Sequence, residues 1–398
     1  MPWRDIGLAA LVGLVYCGIA WTLTDHLDGS ADFNAPVDHH KYIFMATHRL
    51  GSFKIAPYCW RILNPFIAGH GPWSVRAGFI LVNTVSVAVI VAATYALAAT
   101  LRFRRSSRWL AVVLVLTAQS IVRLSANSPY GVDTSSFAFL VVALVLVLRR
   151  QDLAAAVVLA VGVAAKEDVL FVVPLVYTLR ATRWFDRDAL LRTVVVGAPA
   201  MLVLIVLRLA IPAGNTSAAT AYVQSLPFKL TQIHDGTTVY STTQAFKDWT
   251  PHFLRSLVHA GTYRLLTLKT FGTLTVVLTL TALTVWHRWI GVVARLSPLL
   301  VLAVAQLLVA GDVDRLLAVA FPVLLVPALC GADRIVELGR LRDRWVVPAA
   351  LVFVGIDLLL SRRPEDVAKV EAVSLVVAAA MAVAVWARSR MPRYASGA

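Results

Sequence analysis

Runs of apolar residues long enough, or nearly long enough, to cross a lipid bilayer recur along the chain from Ile6 to about Ala387. A spanning helix needs about 20 such residues. With 59% hydrophobic and 15% charged residues in 398 positions, no segment has the composition of a soluble catalytic domain. The sequence therefore predicts a single integral membrane domain over residues 1–398, in which any active site is built from loops and helix ends.

The candidate spans alternate with arginine-rich turns. These turns all fall on one side of the membrane if the N-terminus is cytoplasmic, which places both termini in the cytoplasm. The same distribution explains the net charge of +15, so nucleic acid is not an expected partner. About 12 segments are predicted, at 6–24, 75–97, 109–122, 133–148, 153–165, 169–179, 193–211, 268–286, 290–310, 316–329, 345–360 and 370–387.

Two long connections, 25–74 and 212–267, lie on the opposite, outer side in this topology. In the first of them, 42–46 and 60–68 carry apolar residues at helical spacing. This spacing predicts two amphipathic helices along the outer face of the membrane. The predicted fold is an all-α, multi-pass protein of a bacterial-type plasma membrane.

Three consecutive charges, Lys166-Glu167-Asp168, interrupt the apolar stretch 153–179. The apolar runs on either side, 153–165 and 169–179, are each too short to cross a bilayer comfortably. The pattern therefore predicts a pair of short helices that meet at a charged tip near the outer half of the membrane. Charged residues at such depth usually mark a functional site.

The first outer loop contains a candidate catalytic acid. Asp38 opens the segment Asp-His-His-Lys-Tyr just before the first amphipathic helix. A carboxylate near a helix N-terminus can act as a general base, or simply as an N-cap. His39 and His40 point about 100° apart on a helix, and no zinc motif accompanies them. No metal site is assigned, although Asp32, Asp38 and Glu167 have the carboxylate chemistry that holds a divalent cation.

Arg61 lies within the apolar segment Tyr-Cys-Trp-Arg-Ile-Leu-Asn-Pro. An arginine in this setting binds an anion, either a lipid headgroup that it reaches by snorkelling or the phosphate of a lipid-linked substrate. On the same predicted side, Tyr130 and Asp133 precede one span and Asp314-Arg315 precede another. Each of these also fits turn or N-cap chemistry. In the predicted topology these residues lie on the same side of the membrane as Asp38 and the charged tip. This convergence predicts a common site.

These residues resemble motifs of the GT-C superfamily, the membrane glycosyltransferases that use polyprenyl-phosphate sugars. Members carry an acidic residue in the first outer loop, commonly as Asp-Glu-x-x-Tyr with a small residue four positions on. Asp38, Tyr42 and Ala46 are similar, and His39 replaces the second acid. Bacterial members also carry an aromatic-Arg-x-Leu-x-Pro segment, an Asp that starts a middle span, a Lys-Glu between two short helices and an Arg before a Phe-Pro span. Similar to these are Tyr58-Cys-Trp-Arg61-Ile-Leu-Asn-Pro65, Asp133, Lys166-Glu167, and Arg315 with Phe321-Pro322.

The resemblance implies an inverting transfer of a hexosyl or pentosyl group, of the mannosyltransferase kind, at the outer membrane face. The donor is a polyprenyl-phosphate sugar and the acceptor an envelope glycan, lipid or protein. Asp38 is implied as the base that deprotonates the acceptor hydroxyl. Arg61, Lys166 and Arg315 are implied as ligands of the donor phosphate. The residues implied in binding or orienting substrates are His39, Tyr42, Tyr130, Asp133, Glu167 and Asp314.

Two other functions fit a chain of this kind. A transporter or lipid flippase also places charges in broken helices, but near the midplane of the bilayer and with symmetry between its halves. A non-catalytic scaffold of an envelope assembly would need no site at all. The cytoplasmic halves of the predicted spans are nearly free of charge, and this favours the transferase over the transporter.

Overall fold

The computed structural model describes residues 3–23, 37–48, 50–53, 56–118, 121–122, 130–213, 270–307, 316–338 and 341–360. Every regular element within these ranges is a helix. The α-helices in chain order are α1 Trp3–Leu23, α2 Val37–Thr47, α3 Leu63–His70, α4 Val75–Thr100, α5 Arg105–Thr117, α6 Asp133–Leu148, α7 Asp152–Gly162, α8 Val173–Arg180, α9 Arg187–Ala210, α10 Thr273–Ala282, α11 Ile290–Gln306, α12 Phe321–Glu337 and α13 Val346–Leu360.

Among the residues that the structure describes, four helical stretches are long and apolar enough to cross a membrane: Trp3–Thr22, Val75–Thr100, Arg187–Ala210 and Ala318–Glu337. At a rise of about 1.5 Å per residue, each reaches about 30 Å or more, which is the thickness of the hydrocarbon core. The protein is therefore an integral membrane protein. The total of about 12 segments, the cytoplasmic termini and the division into a membrane domain with two outer loops stay predictions.

The predicted pair of short helices has the expected break. Helix α7 ends at Gly162, and a 3-10 segment, Glu167–Val172, leads into α8. Pro174 lies in the first turn of α8, where its missing N–H leaves no helical hydrogen bond unmade. The charged tip therefore occupies the gap between α7 and α8.

Several predicted boundaries differ from the structure by a few residues, and two of them show why. The span predicted to end at residue 329 continues as α12 to Glu337, because Gly331 and Ala332 are small and stay buried in the helix packing. The helix predicted from residue 109 already begins at Arg105, since arginines at a helix end can extend to the polar interface. In both cases the predicted helix stopped at its outermost long apolar side chain, although the helix continues through the small or polar residues beyond it.

Helix α4 forms the centre of the core and packs against α1, α5 and α6, while α12 packs against α10. Fully buried side chains such as Ile90, Leu114 and Leu140 fill the space between these helices. In contrast, few residues of α1 and α9 are buried, as expected of helices that face lipid.

The helices alternate in direction, so their ends collect in two groups. We call one group the site end, because it brings the start of α6 together with the residues that follow α7: Lys166 contacts Asp133 there. The other group we call the arginine end. It joins the C-terminus of α4 to that of α6 through Arg149 and Thr100, whose Nε and Oγ1 atoms lie 3.1 Å apart.

Candidate functional site

Arg61 and Glu167 form a two-pronged ion pair at the site end. The Arg61 Nε donates to Glu167 Oε2 at 3.0 Å, and its Nη2 donates to Oε1 of the same carboxylate. A third donor, Nη1, lies 3.4 Å from the Tyr42 hydroxyl oxygen. The exposed fraction of the side chain is 12% for Arg61 and 37% for Glu167. The pair therefore joins the first loop to the charged tip, with the carboxylate on the more accessible side.

The charges of this pair stabilise each other. Burial by itself would lower the pKa of the Arg61 guanidinium, but the Glu167 carboxylate outweighs it and the pKa is raised. Burial would likewise raise the pKa of Glu167, but the Arg61 charge outweighs it and the pKa is lowered. Both groups are therefore ionised at neutral pH.

Lys166 contacts two carboxylates in an adjoining cluster. Its Nζ lies 2.7 Å from Asp133 Oδ1 and 2.8 Å from Asp168 Oδ2. Ser136 donates to the second oxygen of Asp168. The Lys166 side chain is only 8% exposed. Burial would lower the pKa of Lys166, but the two carboxylates outweigh this effect and raise it.

Neutral hydrogen bonds fix the first loop against the same two elements. The Leu63 N–H donates to the Ala164 carbonyl at 2.9 Å, directly before the charged tip. The Asn64 amide donates to the Gly131 carbonyl at 3.1 Å and accepts from the Ser135 hydroxyl at 2.9 Å. The backbone that follows Arg61 is therefore held against α6 and against the charged tip by these hydrogen bonds as well as by the Arg61–Glu167 pair.

Helix α2 packs closely on α3 beside this pair. A Cβ placed on Gly69 of α3 would lie 2.1 Å from the Ala46 carbonyl oxygen, so the two backbones can approach only because residue 69 is glycine. Tyr42 of α2 is buried and meets the Tyr58 ring edge-on, with 6.2 Å between ring centroids. The Lys41 ammonium lies 3.5 Å from the centroid of the same Tyr58 ring.

The structure brings together Arg61, Tyr42 and Glu167 in one cluster, and Lys166 and Asp133 in the next. Tyr130 lies nearby in the packing of the first loop, where its ring meets Phe79 edge-on at 5.5 Å. The backbone of Asp38 and His39 lies in the first turn of α2, and their side chains lie outside the described part of the structure. Residues Asp32, Asp314 and Arg315 are outside it altogether.

Sequence reasoning missed four members of this arrangement: Asn64, Ser135, Ser136 and Asp168. The signal for Asp168 was present, since it belongs to the same charged triplet as Lys166 and Glu167. Ser135 and Ser136 follow Asp133 in the first turn of an otherwise apolar helix. Polar residues in such a position need partners when buried, and this rule could have directed attention to them.

A cavity of ≈ 310 Å³, a volume that includes its open mouth, adjoins Lys166. Its polar wall belongs to the Lys166 cluster, and its apolar wall comes from α6, from Ile121 beyond the end of α5 and from the segment before α12. The lining residues are Asp133, Ser136, Lys166, Asp168, Ile121, Phe137, Leu140, Ala318 and Val319. Within the part of the chain that the structure describes, no three His, Cys, Asp or Glu side chains lie close enough together to hold a metal ion.

No protein-family model matches the chain, and no curated protein sequence matches it. Its fold is similar to that of a solved structure, the crystal structure of the Archaeoglobus fulgidus oligosaccharyltransferase complex with Zn and sulfate. The TM-score is 0.52 at 14% sequence identity, over 92% of this chain and 53% of the archaeal one. The chain thus spans about half the length of the archaeal protein. The likeness shows that the fold is GT-C-like.

Proposed function

We propose that the protein is a glycosyltransferase that moves a sugar from a polyprenyl-phosphate donor to a hydroxyl group of an envelope glycan, lipid or protein. The observation that carries the proposal is the meeting of three separate segments at the site end, through the Arg61–Glu167 pair and the Lys166–Asp133 pair. The GT-C-like fold supports it, because the similar archaeal structure is an oligosaccharyltransferase. The proposed site faces the outer side of the membrane, opposite the arginine-rich turns.

In this proposal Asp38 is the catalytic base. It lies four residues before Tyr42 on α2, which corresponds to about one turn or 6 Å along the helix axis. Because Tyr42 contacts Arg61, the start of α2 is near the ion pair. The Asp38 carboxylate takes the proton of the acceptor hydroxyl. The acceptor oxygen then bonds to the anomeric carbon on the face opposite the phosphate, and the bond from that carbon to the phosphate oxygen breaks.

Arg61 is the proposed ligand of the departing phosphate. Its planar guanidinium already binds one carboxylate with two donors, and phosphate accepts the same fork-like geometry. Negative charge grows on the phosphate as the sugar leaves, so a fixed cation stabilises the transition state more than the ground state. For the phosphate to enter, Glu167 must release the guanidinium and turn toward the solvent, where its side chain is already partly exposed.

Lys166 and Arg315 complete the proposed cationic set. Lys166 is shared between Asp133 and Asp168, so its charge is compensated before any donor binds. We propose that it helps the donor phosphate mainly by fixing the tip that carries Glu167. Arg315 precedes the segment that lines the cavity and is proposed as a second phosphate ligand.

A divalent cation is compatible with this mechanism. The archaeal structure was obtained with Zn and sulfate, and carboxylates of the first outer loop are chemically suited to hold such an ion. In this chain Asp32, Asp38 and Glu167 would supply the oxygen ligands. The cation would neutralise the charge that accumulates on the phosphate.

The test is sugar transfer by the purified protein in lipid vesicles, with a panel of polyprenyl-phosphate sugars as donors. We expect turnover by the wild type and a loss of about 100-fold or more for Asp38→Asn, since general-base catalysis typically contributes that much. Asp188→Asn is the matched control, because Asp188 lies in the first turn of α9 at the arginine end. Addition of EDTA, followed by Mn²⁺ or Mg²⁺, tests the cation.

Each result decides one part of the proposal. Equal turnover by the wild type and Asp38→Asn would reject Asp38 as the base. Loss of activity in Asp188→Asn as well would show that the loss is not particular to Asp38. Absence of transfer from every donor, with movement of labelled lipid or solute across the vesicle, would replace the transferase with a transporter. Buried charges at a broken helix, as at Lys166, are also found in transporters.

A further inference from the structure

A fixed turn at the arginine end exposes two large aromatic side chains. Trp184 is 98% and Phe185 is 64% exposed. The turn is not loose: the Tyr177 hydroxyl donates to the Trp184 carbonyl at 2.6 Å and accepts from the Asp186 N–H at 3.1 Å. The Asp186 carboxylate accepts from the Thr182 N–H, also at 3.1 Å. A turn built in this way presents the aromatic pair to whatever surrounds the protein.

The helix that follows the turn, α9, indicates the surroundings of Trp184 and Phe185. Its 24 residues reach about 36 Å, somewhat more than the hydrocarbon core of a bilayer. Only 22% of its most apolar stretch is buried, and Leu191, Val195 and Leu202 are mainly exposed. This face therefore meets acyl chains. The turn 181–186 comes directly before α9, so Trp184 and Phe185 lie where the acyl chains give way to headgroups, the depth that aromatic residues favour.

Two arginines of the same end occupy backbone positions that favour glycine. Arg102 has φ 65° and Arg150 has φ 61°, the left-handed conformation that follows the last turn of many helices. Each closes a helix end in the usual way: the N–H of Gln151, for example, donates to the Leu146 carbonyl at 2.9 Å. Both arginines are exposed. Because the backbone at both positions suits glycine, each arginine can be replaced by glycine without added backbone strain.

These turns belong to one surface. Arg149 contacts Thr100 across the α4 and α6 ends, and Arg180 donates to the Val147 carbonyl at 3.0 Å, which ties the α8 end to them. Arg180 and Arg192 are both paired with Asp152. In contrast, several exposed arginines make no ion pair with any other residue that the structure describes. Four of them lie at the ends of α4, α6 and α8 and at the start of α9, and we call these four the arginine face: Arg102, Arg150, Arg183 and Arg187.

We propose that the arginine face binds the headgroups of anionic phospholipids, with Trp184 and Phe185 inserted at the boundary between headgroups and acyl chains. The aspartates of this surface do not cancel its charge. Asp186 and Asp188 are outnumbered by the four arginines, and the Asp186 carboxylate is held in place by the backbone N–H groups of Thr182 and Ala189. Guanidinium groups bind lipid phosphate through paired hydrogen bonds, and each basic residue near an anionic leaflet adds to the attraction. The proposal requires a membrane protein and does not depend on glycosyl transfer.

The first test compares the lipids that the protein retains. The full chain is reconstituted with equal amounts of phosphatidylglycerol and phosphatidylcholine and extracted in mild detergent, and the ratio of co-purified lipids is measured. We expect several-fold enrichment of phosphatidylglycerol for the wild type. The variant with Arg102→Gly, Arg150→Gly, Arg183→Gln and Arg187→Gln should retain the two lipids about equally. The glycine changes suit the local backbone, so misfolding is not expected to cause the loss.

The matched control uses the two ends of α9. Arg187→Gln removes a member of the arginine face, whereas Arg208→Gln removes an arginine at the site end, where it stacks over Trp60. We expect the first change to reduce the enrichment and the second to leave it intact. Equal effects of the two changes, or equal lipid ratios for wild type and the four-site variant, would overturn the proposal.

The second test measures the depth of Trp184 and needs no change in the arginines. The fluorescence of Trp184 is obtained as the difference between the wild type and Trp184→Phe. We expect lipids brominated near the ester group to quench this fluorescence more than lipids brominated near the chain end. Quenching of this difference by aqueous iodide, with no quenching by either brominated lipid, would show that the turn projects into water and would overturn the insertion of Trp184.

Discussion

The site end and the arginine end both contain ion pairs, and the distances within them are almost equal. At the site end, Lys166 Nζ lies 2.7 and 2.8 Å from two carboxylates. At the arginine end, Arg288 Nη1 lies 2.7 and 2.8 Å from the two oxygens of Glu337. The difference is exposure: 8% of the Lys166 side chain is accessible, but 44% of Arg288. The distance within an ion pair therefore does not by itself determine how much the pair contributes to the stability of the protein.

Burial changes the consequence of losing a partner. When one partner of a buried pair is removed, the remaining charge is left without water, at a cost of about 3–5 kcal/mol. When an exposed pair is broken, water solvates the remaining charge, and such pairs contribute about 0–1 kcal/mol. The Lys166 cluster is thus suited to hold one fixed geometry, whereas the exposed Arg288–Glu337 pair can rearrange with its surroundings at little cost. The arginine end also contains one buried pair, Arg180–Asp152, whose side chains are 8% and 15% exposed.

The largest expected effect is that of Lys166→Met. This change leaves Asp133 and Asp168 close together without their shared cation. We expect the free energy of unfolding to fall by about 3–5 kcal/mol, measured by denaturant unfolding in detergent micelles. Adding Asp133→Asn and Asp168→Asn to the same chain should recover a large part of the loss, because the uncompensated charges are then gone. A loss below about 1 kcal/mol for Lys166→Met would contradict the distinction between the two ends.

An intermediate effect is expected for Glu167→Gln, with a defined pH dependence. The amide cannot neutralise Arg61, and we expect a loss of about 1–2 kcal/mol at neutral pH, less than for a fully buried pair because Glu167 is partly exposed. Arg61 lowers the pKa of Glu167 in the folded protein. The stabilisation is therefore complete above the unfolded pKa of about 4.3 and is lost as the pH falls through the lower folded pKa.

The measurement compares unfolding of wild type and Glu167→Gln between pH 7 and pH 3. We expect a constant difference between pH 7 and about 5, followed by a decrease below about 4. If the difference already shrinks between pH 7 and 5, the pKa of Glu167 is raised in the folded protein, and the pair does not form as the structure shows it.

The smallest effect is expected for Arg288→Gln at the arginine end. Glu337 keeps two other cations, since Arg104 lies 3.5 Å and Arg334 lies 3.6 Å from its oxygens. We expect a loss of at most about 1 kcal/mol, which becomes smaller still in about 1 M salt because exposed charges are screened. A loss equal to that of Lys166→Met, and insensitive to salt, would show that exposure does not separate the two networks.

Part of the fold could be predicted from the sequence. The helical membrane fold, the amphipathic helices of the first loop and the break at Lys166-Glu167-Asp168 follow from local patterns of apolar and charged residues. One prediction from these patterns is incomplete. The halves of the spans predicted to be cytoplasmic were described as nearly free of charge, but the last turns of α12 contain charged residues. Asp333 lies within that helix and accepts from Ser107 at 2.5 Å. Sequence reasoning had ended the span before it.

The candidate site shows the same limit at the level of single contacts. The charged residues could be selected from the sequence because charges are rare in this chain. Which charge meets which could not: Glu167 pairs with Arg61, 106 positions away, while its neighbour Lys166 pairs with Asp133 and Asp168. The uncharged partners Asn64, Ser135 and Ser136 carry no signal of comparable strength, because single polar residues occur in many membrane helices.

The sequence by itself determined that this chain folds into helices in a membrane and that its charges gather at helix ends, because hydropathy and helical spacing are properties of short segments. Only the tertiary structure decided that the first loop and the tip between α7 and α8 share one ion pair, and that Arg149 and Arg180 join the ends of α4, α6 and α8. Those contacts join residues far apart in the chain, and their partners are selected by packing, burial and the direction of each helix.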